Sequence, residues 1–289
     1  MLDRLGEWLV CPDDRGELSK TSSSFQCTYC GRKFSIYADN FVEVLPSKRY
    51  PLEAKTLPEQ LYVKYYQQLA EAPFEWNPKA TGWGYLPHLP VGHRLLYLNE
   101  RELVGRLLPS HLKVLCDITG GVGNYTLYFA DRAEVIVHCD LDVNNLNHAL
   151  RRAKEAQMEN VCFVRCDYLY WPFAQEVFDC IMCLDTFERG EVHDGRLLEV
   201  MSHALKPGGQ LIMDFHNRNH RLPFRPERTM SYRRGRVREM LQQAGLQVVQ
   251  MFPLGCLPGS LVRWPWQFQV NKVLTFFLPP TRYVVLAQK

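Results

Sequence analysis

The sequence predicts an α/β protein with a largely parallel β-sheet, preceded by a small polar β module. From residue 113 onward, short apolar runs alternate with segments of helical period. Strands that alternate with helices of this length form βαβ crossovers, which place the strands in parallel and cover both faces of the sheet. The 289 residues are 46% hydrophobic and 22% charged, which is enough apolar material for a full core.

Each element of this fold has its own local signal. Short apolar runs predict five buried strands at residues 114–117, 135–139, 161–165, 178–184 and 210–214, and a closing pair at 247–251 and 283–288. Helical periods fall at 58–70, 95–108, 124–131, 143–157, 195–205 and 231–244. Ser231 is predicted to cap the last helix, and Gly245 is predicted to end it in a left-handed conformation.

Composition divides the chain into three predicted parts. Residues 1–45 form the polar module, and residues 111–289 carry the main sheet. Between them, residues 46–110 contain eight prolines and several aromatic residues, which predicts a helical, aromatic-rich cap or linker. This cap is predicted to close over a bound acceptor and exclude water, with Trp76, Trp83 and Tyr85 among its aromatic residues.

Charge and hydropathy exclude several classes of protein. A net charge of +3 is too small for a polyanion binder that works by bulk charge. No continuous apolar run reaches the length of a membrane-spanning helix, and the N-terminus lacks the pattern of a signal peptide. We therefore expect a cytoplasmic protein without a transmembrane segment, whose ten cysteines are reduced thiols.

A glycine-rich loop and two carboxylates predict a nucleotide-type ligand. The loop reads DITGGVG over residues 117–123, directly after the first strand of the main sheet. Its three glycines permit positive φ and leave no Cβ between the backbone and a ligand. Asp140 ends the next strand, where a carboxylate can accept hydrogen bonds from ribose hydroxyls, and Asp167 ends the third. A nicotinamide-dependent oxidoreductase is disfavoured, because Thr126 stands where its third glycine would fall.

With these motifs in this order, the chain resembles the class I S-adenosylmethionine-dependent methyltransferases of the small-molecule type. Besides the loop, the resemblance rests on CDL at 139–141, CDY at 166–168, FDCI at 178–181 and LKPGGQ at 205–210, and it covers roughly residues 95–289. It implies a Rossmann-like, seven-stranded mixed sheet with helices on both faces. It also implies S-adenosylmethionine as the cofactor and S-adenosylhomocysteine as the product.

The resemblance implies a set of cofactor contacts. Asp140 would hold the ribose, Leu141 would pack on the adenine, and Asp167 with Tyr168 would bind the adenine edge. The family has a glycine where Thr119 stands, and threonine disfavours positive φ. We therefore expect either that Thr119 has a β conformation or that Gly120 takes over the role of the family's first glycine. Gly121, Gly123, Cys183 and Leu184 would lie on the methionine side, and the remaining implied cofactor contacts are Asp117, Thr119 and Gly120.

The N-terminal module resembles the zinc ribbons that precede some methyltransferase domains. Cys27 and Cys30 form one knuckle, and Cys11 begins a second in which Asp14 stands at the position of the fourth thiolate. Two short turns of this kind supply four tetrahedral ligands. The spacing predicts a structural zinc ion on Cys11, Asp14, Cys27 and Cys30. The alternative is a metal-free ribbon held by its apolar residues, which are Leu9, Leu18, Phe25, Phe34 and Ile36.

Catalytic residues are weakly marked, because proximity can supply most of the acceleration of a methyl transfer. Candidate bases are His193 and His216, which follow the fourth and fifth strands of the main sheet. Loops at these carboxyl ends bind ligands in this fold class. Glu188 and Asp185 are alternatives in the fourth loop, and each histidine could instead be an exposed loop residue.

The acceptor is predicted to be a small molecule, a biosynthetic intermediate with an apolar body and an anionic or polar group. Residues 217–238 hold eight arginines and one acid, which suits an anionic group, but is also typical of a solvated helix face. Together with the ribbon, this segment makes RNA the alternative acceptor. The alternative of another class is a non-catalytic S-adenosylmethionine-binding interaction protein. The sequence WPWQF at 264–268 adds membrane-surface docking as a minor option.

Overall fold

The computed structural model contains seven α-helices and eleven strands in the residues that it describes. These residues are 2–37, 41–48, 57–75, 77, 79, 84–187, 190–220, 231–257, 264–274 and 277–289. The helices are α1 (Leu2–Trp8), α2 (Leu57–Glu71), α3 (Val91–Leu107), α4 (Val143–Glu155), α5 (Glu191–Ala204), α6 (Arg234–Gln243) and α7 (Pro265–Leu274). The strands are β1 (Leu18–Lys20), β2 (Ser24–Cys27), β3 (Lys33–Tyr37), β4 (Phe41–Val44), β5 (Leu112–Ile118), β6 (Ala133–Asp140), β7 (Val161–Cys166), β8 (Phe178–Cys183), β9 (Leu205–His216), β10 (Gln247–Leu254) and β11 (Arg282–Gln288).

All eleven strands form one sheet in the order β1-β2-β3-β4-β7-β6-β5-β8-β9-β11-β10. Strands β5 to β9 pair in parallel, and β11 lies antiparallel between β9 and β10. The seven strands from β7 to β10 in this order are the predicted mixed sheet, so the fold class is confirmed. The predicted number of seven strands is too small, because β4 pairs in parallel with β7 and joins the N-terminal strands to the sheet.

Most predicted elements are present, and the helix expected at 124–131 is the main exception. This segment forms successive turns that end in a short 3-10 helix, Ala130–Arg132. The amide of Thr126 donates to Asp117 Oδ2 at 3.1 Å instead of to the carbonyl of Val122. That carbonyl accepts from Arg152 Nη1 at 2.6 Å. Side-chain atoms therefore form hydrogen bonds with the backbone amide and carbonyl that would pair with each other in a regular helix.

The last helix before the closing strands also differs at its start. Helix α6 begins at Arg234, and Arg233 is its N-cap without a side-chain hydrogen bond, so Ser231 is not the cap. Gly245 follows the helix with φ of +79°, as predicted. The sequence did not predict α1 or α7, and no helix of the described residues is long and apolar enough to cross a membrane.

The N-terminal module packs directly on the main sheet. The amide of Val10 donates to the carbonyl of Pro172 at 2.8 Å, and Arg15 Nη2 donates to the carbonyl of Phe173 at 2.7 Å. Phe25 and Phe34 belong to the same buried cluster as Phe173. The division of the chain at residue 45 stays a prediction, but the sheet and this core both continue across it.

The predicted cap is described only in part. Trp76 and Trp83 lie outside the described residues, whereas Tyr85 packs on His148 of α4 with ring centroids 4.6 Å apart. Helix α2 reaches the main sheet through the Tyr66 hydroxyl, which donates to Asp167. Helix α3 reaches it through Tyr97, which donates to Asp185 Oδ2 at 2.7 Å. These two helices cover the carboxyl ends of the parallel strands.

Candidate functional site

A cavity lies at the carboxyl ends of β5, β6 and β8, under α2 and α3. Its position follows from the sheet register, in which Asp117 of β5 pairs with Met182 of β8, and Ile118 pairs with Cys139 of β6. No described lining residue is a lysine, arginine or histidine. The polar part of the wall holds the carboxylates of Asp117, Asp140, Asp142 and Asp185, and the aromatic part holds Tyr65, Tyr66, Tyr97, Tyr125 and Tyr168.

At the start of the glycine-rich loop, a positive φ angle falls on Thr119, at +56°, and not on Gly120. The expectation for this turn is therefore wrong. A Cβ atom at position 120 would lie 2.5 Å from the ring of His138, so glycine is required there for space. Thr119 Oγ1 donates to the carbonyl of Ile118 at 2.5 Å and also contacts the hydroxyl of Thr186. These contacts hold a residue that would otherwise avoid the left-handed region.

Gly121 presents its backbone to the cavity. It has φ of +57°, and a Cβ there would meet no atom within 4 Å, so the side chain of any other residue would project into open space. Its amide donates to Asp140 Oδ2 at 2.8 Å. Gly123, with φ of +76°, instead packs against Ala149 of α4 and does not line the cavity. Gly121 is thus suited to close approach by a ligand, and Gly123 to helix packing.

Asp140 is a nearly buried carboxylate that already accepts two backbone hydrogen bonds. Besides the amide of Gly121, it accepts from the amide of Asp142 at 2.8 Å through Oδ1. Burial raises its pKa to about 6. Each carboxylate oxygen has a second lone pair, so both can accept a further hydrogen bond from the cavity side. This geometry fits a ligand with two adjacent hydroxyls.

Asp117 holds the glycine-rich loop through hydrogen bonds from Thr126. It accepts from both the amide and the hydroxyl of Thr126 through Oδ2, and burial raises its pKa to about 7. The hydroxyl of Thr126 also lies 2.7 Å from His138 Nδ1. Burial lowers the pKa of His138 to about 3, so this ring is neutral at physiological pH. Sequence reasoning missed both Thr126 and His138 as partners of the loop.

The predicted adenine and methionine contacts divide into two groups. Leu141 and Tyr168 line the cavity, as the resemblance implies. Asp167 is fully buried beside it, where the amide of Leu169 donates to Oδ1 at 3.0 Å and Tyr66 donates to Oδ2. Cys183 is also fully buried and does not line the cavity. The roles of these residues in binding stay predictions.

A buried charge network adjoins the cavity where β8, β9 and β11 end. Arg282 lies at its centre, with Nη2 2.9 Å from Asp185 Oδ1, and Nη1 2.8 Å from Asp214 Oδ2 and 3.6 Å from Glu100 Oε2. Burial and the nearby Asp214 raise the pKa of Glu100 to about 8. Burial also opposes ionisation of Asp185, but Arg282 and Tyr97 outweigh it and lower its pKa to about 2. Glu100 is therefore protonated at neutral pH, and Asp185 is ionised.

This network was missed from the sequence, although one signal was available. Glu100 occupies an inward position of α3, four residues before Val104 and three before Leu103, both of which are buried. A charged residue on an apolar helix face is a reason to look for buried partners. No local feature of the sequence connects Glu100 to Arg282.

Of the candidate bases, only Asp185 lines the cavity among the described residues. His193 lies in the first turn of α5 and is buried, not on an exposed loop. His216 ends β9, with its Nε2 3.0 Å from Arg282 Nη2. Glu188 lies outside the described residues. The catalytic roles of these residues stay predictions.

The four predicted zinc ligands converge in the N-terminal module, with one donor atom of each lying within 4.8 Å of the others. Cys11 Sγ is 3.8 Å from Cys30 Sγ, and Cys27 Sγ is 3.4 Å from Asp14 Oδ1. The amides of Tyr29 and Cys30 both point at Cys27 Sγ, at 3.4 Å, as in a knuckle turn. This donor set can hold a metal ion.

In its described part, the arginine-rich segment contacts other side chains at the protein surface. Arg236 lies 3.0 Å from Glu191 and 3.3 Å from Glu239. Arg234 stacks over the ring of Tyr283, 5.1 Å from its centroid. Residues 221–230, which include three of the arginines, lie outside the described part of the chain. The described contacts are those of a solvated helix face.

Comparison with known proteins relates the region around the cavity to methyltransferase domains. Residues 115–209 match a family model described as a methyltransferase domain. The ubiquinone/menaquinone biosynthesis C-methyltransferase UbiE of Cellvibrio japonicus is 32% identical over 127 residues, which cover 42% of this chain and 50% of that protein. The tRNA (guanine-N(7)-)-methyltransferase of Rubrobacter xylanophilus is 31% identical over 129 residues, which cover 41% of this chain and 56% of that protein. The chain thus spans about half the length of the curated relatives that it matches.

Solved structures agree on the fold. A SAM-dependent methyltransferase from Aquifex aeolicus superposes with a TM-score of 0.53 at 17% identity, over 74% of this chain and 99% of that one. The main sheet therefore has the architecture of the S-adenosylmethionine-dependent methyltransferases. Residues 115–209 of this chain are similar to a methyltransferase domain.

Proposed function

We propose that this protein transfers the methyl group of S-adenosylmethionine to a small-molecule acceptor with an apolar body. The observation that carries the proposal is the cavity in which the open backbone of Gly121 lies beside the Asp140 carboxylate. Ligands bind at this edge of α/β sheets. The relatives named for ubiquinone and menaquinone biosynthesis support an acceptor of this kind.

The residues present fit the cofactor. S-adenosylmethionine supplies an electrophilic methyl group on a sulfonium cation, and a wall with four carboxylates and no described cationic side chain suits such a ligand. Asp140 would accept from the ribose hydroxyls, and Gly121 would approach the methionine part. Leu141 and Tyr168 would flank the adenine. Asp167 is fully buried and does not line the cavity, so its carboxylate could reach the adenine edge only if the residues that cover it, such as Tyr66, moved.

The methyl acceptor would bind the cavity wall through a hydrogen-bond donor of its own, and not through an anionic group. Asp185 and Tyr97 line the cavity side of the charge network, and Asp185 is ionised. An ionised carboxylate with a pKa of about 2 is a weak base, so its role would be to orient a hydroxyl or amine of the acceptor. A carboxylate or phosphate on the acceptor would be repelled there.

Calorimetric titration with S-adenosylmethionine and S-adenosylhomocysteine tests the cofactor site. Asp140→Ala should weaken both by about 100-fold without unfolding the protein, since it removes the acceptor of two charge-assisted hydrogen bonds. Asp131→Ala, at an exposed position on the same domain, is the matched control and should bind normally. Unchanged affinity in Asp140→Ala would refute the ribose assignment.

RNA is the second candidate acceptor, supported by the relative named as a tRNA methyltransferase. Radiolabelled S-adenosylmethionine, offered with a small-molecule extract and with total RNA, separates the two. Label in the extract supports the proposal. Label in RNA, with affinity that falls steeply with salt and falls further in an Arg233/Arg234 charge reversal, supports RNA. Cofactor binding without transfer to either would favour a non-catalytic protein.

We also propose that the N-terminal module holds one structural zinc ion on Cys11, Asp14, Cys27 and Cys30. Tetrahedral zinc with thiolates at 2.3 Å separates its sulfur atoms by about 3.8 Å. The separation of Cys11 Sγ and Cys30 Sγ supports this assignment. Four protein ligands leave no open coordination position, so the ion would stabilise the fold without taking part in the reaction.

Elemental analysis tests the zinc proposal. The purified protein should contain about one zinc per chain, and Cys27→Ser should lose it and melt at a lower temperature. Cys162→Ser removes a thiol of β7 that is not among the proposed ligands, and should keep the metal. A metal-free protein of normal stability would contradict the proposal.

A further inference from the structure

A second cavity adjoins the first at Asn124, whose side chain lines both. Its Nδ2 donates to the carbonyl of Gly84, on the wall of the first cavity, at 2.9 Å. Its Oδ1 accepts from Nη1 of Arg152, on the wall of the second, at 3.4 Å. The first cavity has four carboxylates and no described cationic side chain, whereas the described lining of the second has two arginines and one glutamate. The two cavities therefore suit ligands of opposite charge.

Arginines from two helices line the second cavity, each over a tyrosine ring. Arg101 lies on α3, and its guanidinium carbon is 3.7 Å from the centroid of the Tyr128 ring. Arg152 lies in the last turn of α4, and its guanidinium carbon is 4.9 Å from the centroid of the Tyr85 ring. A guanidinium that lies face to face with a ring keeps the N–H groups of its edge available for an anion.

Neither arginine has a carboxylate partner among the described residues. Arg101 makes its one described side-chain contact with the Tyr128 ring. Arg152 uses Nη1 for the carbonyl of Val122, at 2.6 Å. Burial lowers the pKa of Arg152, and repulsion from Arg101 lowers it further. Two cations that line one cavity without an ion pair leave an electrostatic cost, which a bound anion would offset.

The other lining residues describe the rest of the ligand. Glu155 is the one carboxylate of the described lining, and it lies 3.7 Å from Nε of Arg151 with its side chain 67% exposed. Glu155 therefore stands at the solvent side of the cavity. Leu127, Ala156 and Met158 add apolar surface to the two tyrosine rings. Two cations beside an aromatic and apolar wall suit an anionic group that is attached to an apolar body.

We propose that the second cavity binds a small phosphate ester, with its phosphate on Arg101 and Arg152 and its organic part on the apolar wall. A phosphate ester has three terminal oxygens and can accept from two guanidinium groups, whereas a carboxylate is satisfied by one. A single phosphate suits the cavity better than a nucleic acid does, because Glu155 would repel the next phosphate of a chain. The cavity is separate from the proposed cofactor position, so this inference does not rest on the proposed reaction.

Calorimetric titration of residues 1–289 with phenyl phosphate and with benzoate tests the proposal. Phenyl phosphate should bind, and benzoate should bind about tenfold more weakly, because its carboxylate engages one guanidinium instead of two. Arg101→Met should weaken the binding of phenyl phosphate by about tenfold, since it removes charge-assisted hydrogen bonds. Glu155→Gln should strengthen this binding by about threefold, because a repelling carboxylate is lost. A damaged fold would not produce such a gain.

Two controls separate this cavity from bulk charge and from the first cavity. Arg106→Met removes an exposed arginine of α3, 3.9 Å from Glu102, and should bind phenyl phosphate like the unchanged protein. Excess S-adenosylhomocysteine should leave this affinity unchanged. The proposal is overturned by no binding of phenyl phosphate, by equal affinity for benzoate, by unchanged affinity in Arg101→Met, or by displacement with S-adenosylhomocysteine. A short single-stranded RNA that bound more tightly than phenyl phosphate, and lost that affinity in Arg101→Met, would assign the cavity to RNA instead.

Discussion

Thr119 holds a left-handed backbone conformation that costs a residue with a Cβ about 1–2 kcal/mol. Its neighbours explain why it is held there. Position 120 must be glycine because of the His138 ring, and the amide of Gly120 donates to the carbonyl of Cys139 at 2.9 Å. The strain therefore falls on the residue before it, at the cavity wall. Strained residues of this kind are concentrated at functional sites.

Replacement of Thr119 measures this strain. Thr119→Ala and Thr119→Gly both remove the hydroxyl, but only glycine accepts φ of +56° without cost. We expect the glycine variant to be more stable than the alanine variant by about 1 kcal/mol in urea unfolding. At Thr21, which has no positive φ, the same pair should show alanine as the more stable variant. If Thr119→Ala and Thr119→Gly had the same free energy of unfolding, the backbone at this position would not be strained.

Glu100 makes the stability of the protein depend on pH. Its pKa rises from 4.5 to about 8 in the folded state, because it is buried beside Asp214. Between these values the folded protein holds a proton that the unfolded chain has released. The stabilising contribution is complete below pH 4.5 and is lost as the pH rises to 8.

Urea unfolding at several pH values checks this dependence. The free energy of unfolding should fall by about 1 kcal/mol per pH unit between pH 5 and 8 through this group, and Glu100→Gln should remove that part of the slope. The buried Asp117 and Asp140 add slopes of the same sign in both proteins. Glu102→Gln, on the exposed side of the same helix, should leave the slope intact. Identical slopes in all three proteins would show that Glu100 is ionised when folded.

The sequence singled out Gly121 and Asp140, which line the cavity, because a loop and a strand end are short-range features. Their roles in binding stay predictions. Partners from distant parts of the chain could not be found in this way. Asp185 and Arg282 are 97 positions apart, and the pairing of β8 with β9 and of β9 with β11 brings them together.

Arg165 connects three elements around the cavity. Its side chain is 1% exposed, and its Nη1 lies 2.5 Å from Glu43 Oε2 of β4. Its Nη2 donates to the carbonyls of Leu69 and Ala72, at the end of α2, at 3.0 and 2.6 Å. Its Nε donates to the carbonyl of Leu141, after β6, at 3.2 Å. A single cation therefore fixes the N-terminal strands and the cap helix on β7.

Arg165→Met should destabilise the protein by about 3 kcal/mol or more, since it leaves a partly buried carboxylate and three carbonyls without their donor. The amides of α2 should also exchange faster with deuterium, because this helix loses its attachment. Arg196→Met removes an exposed arginine paired with Glu199 and should have little effect on either measurement. Normal exchange in α2 would show that the helix is held by other contacts.

Strands were easier to predict than helices for a physical reason. A parallel strand that is buried on both faces appears as an apolar run, and β5 to β8 all show one. Helix prediction relies on periodicity, which side-chain hydrogen bonds can override, as Thr126 does after the glycine loop. Helix α7, which is only ten residues long, was not predicted.

At the scale of the whole molecule, the N-terminal module and the main sheet form one structure. Val42 pairs with Val164 across β4 and β7, and Val42, Phe25 and Phe173 share one buried cluster. Such continuity covers the edge of β7, which would otherwise present unpaired backbone groups to solvent. The module therefore stabilises the methyltransferase fold whether or not it also binds a metal.

A chain of residues 46–289 tests this dependence. Without the module, the edge of β7 and the aromatic surface around Trp171 and Phe173 become exposed, so we expect a lower melting temperature and aggregation seen by light scattering. The Cys27→Ser variant of residues 1–289 is the control, because it alters the proposed metal site while keeping β4 on the sheet. It should not aggregate, and it should melt between the two proteins. If residues 46–289 were instead monomeric with the melting temperature of the full chain, residues 1–45 would be an independent domain, and the shared core would contribute little to stability.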